Sequence, residues 1–425
     1  MIRCAFSFRR RAAPGGSIAL AMLMAVTIAG HACAQAGEPI KIGYSMSLTG
    51  LASNGRSALL AQRIWEEETN SKGGMLGRPV KLVYYDDKGS PSEIPAIYTK
   101  LLDVDKVDLI IGAYGTALTA PAMPIVIQRR KTLIGLLGLA VNSNFNYPNY
   151  FVVAPYGPDA KPAFTKGFFD AVLPQNPKPR TVAIVAADQE FSRNAADGAR
   201  ENAKNGGLQL VYERTYPPAT ADFGPVVRAI AAVNPDLLVV CSYPSDSVGM
   251  VRAVNELGFT PKAVGGAMVG LQSPAIKAQL GPLLNGFINY EFWLPVPKMQ
   301  FPGVTDLISR YQARAPAEGV DPVGYYMPPW AYAQLQVLQQ AVEGTQSLDD
   351  AKLGDYIRAH SFSTVVGDIE FGGEGEWAQS RVLQVQYQKI SGRDLAQFKD
   401  MSTQVVVAPA EYASGELMYP YVRAK

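Results

Sequence analysis

The sequence predicts an α/β protein whose parallel sheets are distributed over two lobes. Two observations indicate this: short β-branched runs alternate with longer amphipathic stretches from residue 40 onward, and the alternation restarts after Pro158. Strands that alternate with helices build βαβ units, whose sheets are parallel and covered on both faces. The 425 residues are 48% apolar and 18% charged, an ordinary globular composition with enough apolar mass for more than one core.

Individual elements follow from the period of the apolar residues and from β-branched runs. In the first unit the predicted strands are 40–46, 80–87, 107–113 and 132–137, and the predicted helices are 57–69, 93–102 and 118–128. In the second unit, helices 160–173, 193–204, 223–232 and 246–257 alternate with strands 181–187, 208–214 and 236–242.

Beyond residue 285 the pattern is mixed. It predicts strand-like pieces at 286–293, 367–371 and 381–390, and helices at 304–313, 329–343 and 349–359. The chain thus consists of two α/β units and a mixed third region. This organisation fits two lobes between which the chain crosses more than once. We predict a first lobe from residues 40–157 plus 291–384, a second lobe from 158–290 plus 385–398, and an extended, irregular C-terminal tail over 399–425.

The N-terminus has the pattern of a secretory signal. Four arginines precede an uncharged apolar stretch over 17–30, and a small-x-small cleavage site ends at Ala34. The pattern predicts a signal peptide over residues 1–34, cleavage after Ala34 and a periplasmic protein. A lipidated Cys33 is the alternative, although His31 stands where lipoprotein signals usually carry a small residue. No later segment reaches the roughly 20 apolar residues of a membrane-spanning helix.

Removing the signal changes the charge and the supply of reactive residues. The loss of four positive charges lowers the formal net charge from +2 to −2, so no basic stripe for nucleic acid is expected. Cys241 and His360 are the one cysteine and the one histidine beyond residue 34. We therefore expect neither a disulfide framework nor a common zinc site, and no cofactor.

Ligands of open α/β sheets bind at the carboxyl ends of the strands, and the loops there suggest a site. Candidate residues are Asn54 in loop 47–55, then Tyr114, Thr116 and the N–H of Ala117 in loop 112–119, and Tyr243 in loop 242–247. Ser and Thr at such positions are also common helix caps, which is the competing interpretation. Asp86 and Asp87 favour a turn, and the aromatic stretch from Tyr325 to Tyr332 favours packing.

Catalytic motifs are missing from the sequence. It contains no G-x-S-x-G, no G-x-x-x-x-G-K-[ST], no H-E-x-x-H and no G-x-G-x-x-G after a strand. An exported two-lobe α/β protein without catalytic material is most simply a binding protein and not an enzyme.

Several segments resemble a known family. IKIGYSMSLTG (40–50), NSKGGMLGRPVKLVYYDD (70–87) and VDLIIGAYGTALTAPAMPIV (107–126) are similar to the periplasmic substrate-binding proteins of the leucine/isoleucine/valine-binding type. The resemblance spans about 40–390. It implies the type I periplasmic binding protein fold, with two Rossmann-like lobes joined by three crossovers and a ligand enclosed by hinge closure.

The resemblance also implies a pocket. The family's carboxylate-binding hydroxyl falls on Thr116, and its second-lobe aromatics fall on Phe191 and Tyr243. A small-residue loop that contacts the ligand falls on 138–141, which includes Ala140. The acidic residue that holds an amino acid's ammonium falls near Ala267 or Met268, and neither is acidic.

These implications lead to a functional expectation. The protein is expected to be a monomeric binding subunit for a small amino acid or a related apolar or aromatic carboxylate or amide, and its partners an ABC permease and the ATPase subunits. One rival is a ligand sensor of the same fold that reports to a regulator or receptor. The other is an extracytoplasmic hydrolase.

Overall fold

The computed structural model describes residues 37–50, 55–218 and 220–422. The predicted signal peptide and its cleavage site lie outside these residues. Within the described part of the chain, no helix is long and apolar enough to cross a membrane.

The first sheet contains five parallel strands in the order β2-β1-β3-β4-β5. They are β1 (Ile40–Met46), β2 (Val80–Asp86), β3 (Leu109–Ile111), β4 (Leu133–Gly135) and β5 (Tyr150–Val152). The helices between them are α1 (Gly55–Ser71), α2 (Ile94–Asp103), α3 (Thr116–Thr119) and α4 (Met123–Gln128). The strand β1 is buried along almost its whole length, as expected for a central strand covered on both faces.

The second sheet contains seven strands in the order β14-β13-β10-β9-β8-β6-β7. Its parallel part comprises β6 (Thr181–Ala187), β7 (Gln209–Tyr216), β8 (Leu237–Ser242), β9 (Ala263–Met268) and β10 (Ile288–Glu291). The strands β13 (Leu383–Tyr387) and β14 (Gln404–Ala408) extend it in antiparallel pairing. Its helices are α5 (Ala160–Val172), α6 (Glu190–Asn205), α7 (Gly224–Ala232), α8 (Pro244–Glu256) and α9 (Pro274–Leu280).

Later elements return to the first sheet. The helices α10 (Val304–Glu318), α11 (Met327–Thr345) and α12 (Asp350–Ala359) follow β10, and α10 and α11 pack on α1. A small antiparallel pair, β11 (Phe362–Thr364) and β12 (Gly367–Ile369), lies beside α11. The chain then enters β13 of the second sheet.

The two sheets repeat one topology, because β7-β6-β8-β9-β10 has the same order as β2-β1-β3-β4-β5. The chain passes between the two sheets three times, through 153–159, 292–303 and 370–382. These features confirm the predicted α/β fold with two lobes and three crossovers. The exact lobe limits predicted from the sequence stay predictions.

The structure differs from the sequence expectations at β9 and β14. In β9, two glycines weaken the strand signal, but a Cβ on Gly265 would lie 1.9 Å from the Ile288 carbonyl oxygen, so the neighbouring strand requires a glycine there. In the tail expected to be irregular, β14 pairs with β13, and Pro409 follows directly after the strand. The short elements β5, α9 and β11 were also not predicted.

Cys241 lies within β8 and is fully buried. Burial raises the pKa of its thiol to about 12, so very little thiolate forms at neutral pH. The cysteine therefore acts as a small apolar core residue, as its position at the end of an apolar run suggests.

Candidate ligand-binding cleft

A cavity of about 1330 Å³ lies where the carboxyl ends of the two sheets meet. The loop after β3 lines it from the first lobe, and the loops after β6 and β8 line it from the second. Since β3 and β8 hold equivalent places in the two sheets, the repeated topology brings matching loops face to face. This is the position at which open α/β sheets bind ligands.

Five of the eight residues predicted from the sequence line this cavity. Tyr114, Thr116 and Ala117 contribute from the first lobe, and Phe191 and Tyr243 contribute from the second. Residues that lie more than 120 positions apart in the sequence thus share one cavity.

The other three predicted residues do not contribute to the described cavity wall. Ala140 is 8% exposed and has a positive φ of 52°, and its N–H donates to the buried Glu376 carboxyl. Met268 ends β9 with its side chain in the core of the second lobe, and its N–H donates to Asn289 Oδ1 at 2.9 Å. Asn54 lies outside the described residues.

The loop after β3 places Thr116 at the start of a helical run. Gly115 precedes it with φ 76°, a conformation that glycine adopts without strain. The Thr116 hydroxyl accepts a hydrogen bond from the Leu139 N–H at 3.0 Å. A threonine hydroxyl has one donor and two acceptor positions, so this bond leaves its proton available to a ligand.

The pair Asp86 and Asp87 shapes the neighbouring loop. Asp87 accepts hydrogen bonds from the Ser45 and Ser47 hydroxyls, both at 2.5 Å, and Asp86 accepts from the N–H of Leu48 at 3.0 Å. The carboxylates therefore hold the backbone that follows β1. This agrees with a structural role for the pair and not an acid/base role.

The second lobe presents an aromatic surface. Phe191 lies in the first turn of α6, and its ring makes edge contacts with Phe164 at 5.2 Å and Tyr243 at 5.9 Å between centroids. Tyr243 precedes α8, and its backbone N–H donates to Asp246 Oδ2 at 3.3 Å. The starts of two helices thus position the two rings.

Two carboxyl groups also reach the cavity wall. Glu190 and Asp246 line it, and burial raises the pKa of both. The Ser245 hydroxyl donates to Asp246 at 2.9 Å, which adds to the bond from Tyr243. Asp188 pairs with Arg193 at 2.7 Å and lies outside the cavity wall.

Sequence reasoning missed a group of aromatic residues that complete the cavity. They come from two of the crossovers, from α5 and β10 and from the residue before α11, and they are Tyr156, Phe164, Tyr290, Phe292 and Tyr326. The aromatic stretch that contains Tyr326 favours packing, and the Tyr326 ring does lie 6.1 Å from Phe292 in a stacked arrangement. No local motif marks these residues, because only the crossing of the chain between the lobes brings them together.

In the described part of the chain, His360 and the acidic residues are not grouped as metal ligands. His360 is exposed at the end of α12 and stacks on Tyr356 with ring centroids 3.8 Å apart. Among the described residues, no three His, Cys, Asp or Glu side chains are grouped so that they could hold a metal ion.

Known proteins resemble this chain in sequence and in architecture. The Leu/Ile/Val-binding protein of Escherichia coli (strain K12) is 24% identical over 347 residues, which are 80% of this chain and 88% of that protein. The structure of a leucine-binding protein from Thermotoga maritima has a TM-score of 0.71 at 21% identity, covering 83% of this chain and 96% of that chain. A solute-binding protein from R. palustris in complex with benzoate has a TM-score of 0.70 at 16% identity, covering 89% and 99%.

The similar structures share the two-lobe fold described above. The sequence pattern of the periplasmic binding proteins matches residues 39–393, which is most of the described chain. The resemblance seen in the sequence is thereby confirmed, and the chain belongs to the periplasmic binding protein family.

Proposed function

We propose that this protein is the solute-binding subunit of an ABC importer and that its ligand is a small carboxylate or amide with an apolar or aromatic body. The observation that carries the proposal is the cleft itself. It combines hydrogen-bond donors at Thr116 and Ala117 with eight aromatic side chains in its wall, contributed by both lobes and the crossovers.

A carboxylate at Thr116 needs no basic side chain. The N–H groups in the first turn of a helix have no intrahelical acceptor and carry a positive partial charge. The Thr116 hydroxyl adds a donor, because its bond from Leu139 occupies only an acceptor position. An apolar body attached to this carboxylate would lie against Phe191 and Tyr243.

A zwitterionic amino acid is the second candidate ligand. Burying an ammonium group costs several kcal/mol unless a carboxylate or several acceptors meet it. The family position near Ala267 and Met268 supplies no carboxylate, but Glu190 in the cavity wall does. The named ligands of the relatives support both classes, since one relative is a Leu/Ile/Val-binding protein and one similar structure contains benzoate.

Transport follows from closure of the lobes. The three crossovers allow the lobes to move as rigid bodies about a hinge, and a ligand that touches both lobes shifts the population toward the closed form. A permease and its ATPase subunits then recognise this closed form of the monomeric binding protein.

Calorimetry with matched ligands tests the proposal. We expect 4-methylpentanoate and benzoate to bind at least as tightly as leucine, because the ammonium of leucine would have to be buried near a carboxyl whose pKa burial already raises. 4-Methylpentanoate is the deaminated analogue of leucine, so the pair isolates the ammonium group. Tight leucine binding with no detectable binding of 4-methylpentanoate would instead establish an amino-acid site, for which Glu190 and Asp246 supply carboxyl groups.

Export is a second prediction. If residues 1–34 are a cleaved signal, the mature protein begins at Gln35, carries no lipid and is released by osmotic shock. The intact mass of the periplasmic protein measures this directly. A mass that corresponds to an acylated Cys33 would contradict it.

A further inference from the structure

Three tyrosine hydroxyl groups meet inside the cleft. Tyr114 follows β3, Tyr290 lies in β10, and Tyr326 directly precedes α11, and all three line the cavity. The hydroxyl oxygens of Tyr114 and Tyr326 are 3.3 Å apart, and those of Tyr290 and Tyr326 are 3.5 Å apart. Residues from three distant parts of the chain thus form a continuous chain of hydroxyl groups, which we call the tyrosine chain.

The tyrosine chain is loosely bonded within itself. Good O–H···O hydrogen bonds are about 2.5–3.0 Å long, and both contacts exceed this range. The hydroxyls of Tyr290 and Tyr326 each offer one donor and two acceptor positions, and the two contacts use one position of Tyr290 and two of Tyr326. Tyr326 can donate to only one of its two neighbours. Tyr290 and Tyr326 therefore retain hydrogen-bonding capacity beyond these two contacts.

The surroundings of the tyrosine chain are apolar. The Phe164 ring lies 4.4 Å from that of Tyr290, and the Phe292 ring lies 5.1 Å from the same ring and stacks on Tyr326. Burial raises the pKa of Tyr290 and Tyr326 well above the usual value, so both hydroxyls keep their protons at neutral pH. A neutral polar patch enclosed by aromatic rings suits a neutral polar group on an aromatic ligand.

We infer that the tyrosine chain is a specificity subsite for a hydroxyl or carbonyl group carried by an aromatic carboxylate. This rests on the proposed function, since the carboxylate itself is assigned to Thr116 and Ala117. A hydroxyl of the ligand that enters the chain exchanges long tyrosine contacts for shorter bonds, as donor to one tyrosine and acceptor from another. A charged group does not fit, because the three hydroxyls supply no net charge to balance it.

The expected selectivity is strong. A site built to hydrogen-bond a hydroxyl rejects an analogue that lacks it, because the site's own polar groups are then left in an apolar environment without that partner. An apolar group of similar size, such as a methyl group, places carbon against the tyrosine oxygens and should be rejected as well.

Calorimetry with benzoate, 3-hydroxybenzoate, 4-hydroxybenzoate and 4-methylbenzoate tests the subsite in the unmodified protein. We expect at least one hydroxybenzoate to bind about tenfold or more tightly than both benzoate and 4-methylbenzoate. If benzoate binds but neither hydroxybenzoate binds more tightly, the inference is wrong and the carboxylate proposal stands. If none of the four binds but 4-methylpentanoate does, the inference is wrong and the carboxylate proposal stands; if 4-methylpentanoate also fails to bind, the carboxylate proposal fails as well.

Two single variants, Tyr326→Phe and Tyr290→Phe, test whether the tyrosine chain causes the preference for a hydroxylated ligand. Each removes one hydroxyl and keeps the ring, so the preference for the hydroxylated ligand should fall to less than about threefold in at least the Tyr326 variant. Tyr212→Phe, on β7 outside the cavity wall, is the matched control and should retain the full preference. A preference that persists unchanged in both cavity variants would overturn the assignment, and thermal melting checks that each variant is folded.

Discussion

Replacing Lys277 by methionine is expected to lower the free energy of unfolding by about 3–5 kcal/mol at neutral pH. The Lys277 ammonium lies 3.0 Å from Glu291 Oε1 and 2.5 Å from Gln404 Oε1, which ties α9 to β10 and β14. The two charged side chains are only 5% and 2% exposed. Methionine has a similar length and no charge, so the variant leaves Glu291 in the core without its partner.

The stability lost in Lys277→Met should increase as the pH rises. Burial raises the pKa of Glu291, and Lys277 is the largest influence that lowers it, so removing Lys277 raises it further. A carboxyl whose pKa is higher in the folded state binds protons preferentially there. Its contribution to the free energy of unfolding therefore falls as the pH rises above the pKa of the unfolded chain, which is about 4.3. The charge of Lys277 also lowers the pKa of Asp321, so removing Lys277 raises that pKa as well. The deficit should therefore be larger at pH 8 than at pH 5.

Denaturant unfolding at the two pH values measures this deficit. The double variant Lys277→Met/Glu291→Gln should recover part of the lost stability and most of the pH difference, because no charge is then left unpaired at position 291. Lys166→Met is the surface control: this lysine pairs with Asp170 at 2.6 Å, but the two side chains are 62% and 50% exposed. It should cost less than about 1 kcal/mol. Equal losses for Lys277→Met and Lys166→Met would refute the importance of the buried pair.

The strand-helix alternation was sufficient to predict the fold class. The strands β6 and β8 are apolar except at one end and are buried on both faces, and their local sequence reflects this. The strand β9 escaped prediction because its Gly265 is required by the Ile288 backbone on a neighbouring strand, which is a tertiary constraint. Pro409 favours an irregular tail in the sequence. In the structure it stands directly after β14, so it ends the strand and does not interrupt it.

The candidate site was predictable only in part, for a similar reason. Tyr114, Thr116 and Tyr243 follow parallel strands, and the carboxyl ends of such strands gather at one edge of a sheet. Tyr290 and Tyr326 reach the same cavity from β10 and from the entry to α11, and their proximity depends on how the crossovers run. Local sequence patterns do not encode that path, so the tyrosine chain emerges only from the structure.

Replacing Thr116 by valine is expected to weaken carboxylate binding by about 1–3 kcal/mol, or roughly 5- to 150-fold in Kd. Valine keeps the branched shape but removes the donor that a carboxylate would use. It also removes the acceptor for the Leu139 N–H, so some loss of stability is expected as well. Thr116→Ser retains the hydroxyl and should restore most of the affinity.

A matched variant separates affinity from stability. Thr119 lies one helical turn further on, outside the cavity wall, and its hydroxyl donates to the Ala113 carbonyl at 3.0 Å. Thr119→Val should therefore reduce stability to a similar extent and leave Kd unchanged. Calorimetry with benzoate or 4-methylpentanoate measures Kd for both variants, and thermal unfolding measures stability. If Thr116→Val binds as tightly as the unmodified protein, the carboxylate is held elsewhere, and the donors at the start of α3 are no more than part of the helix's own capping.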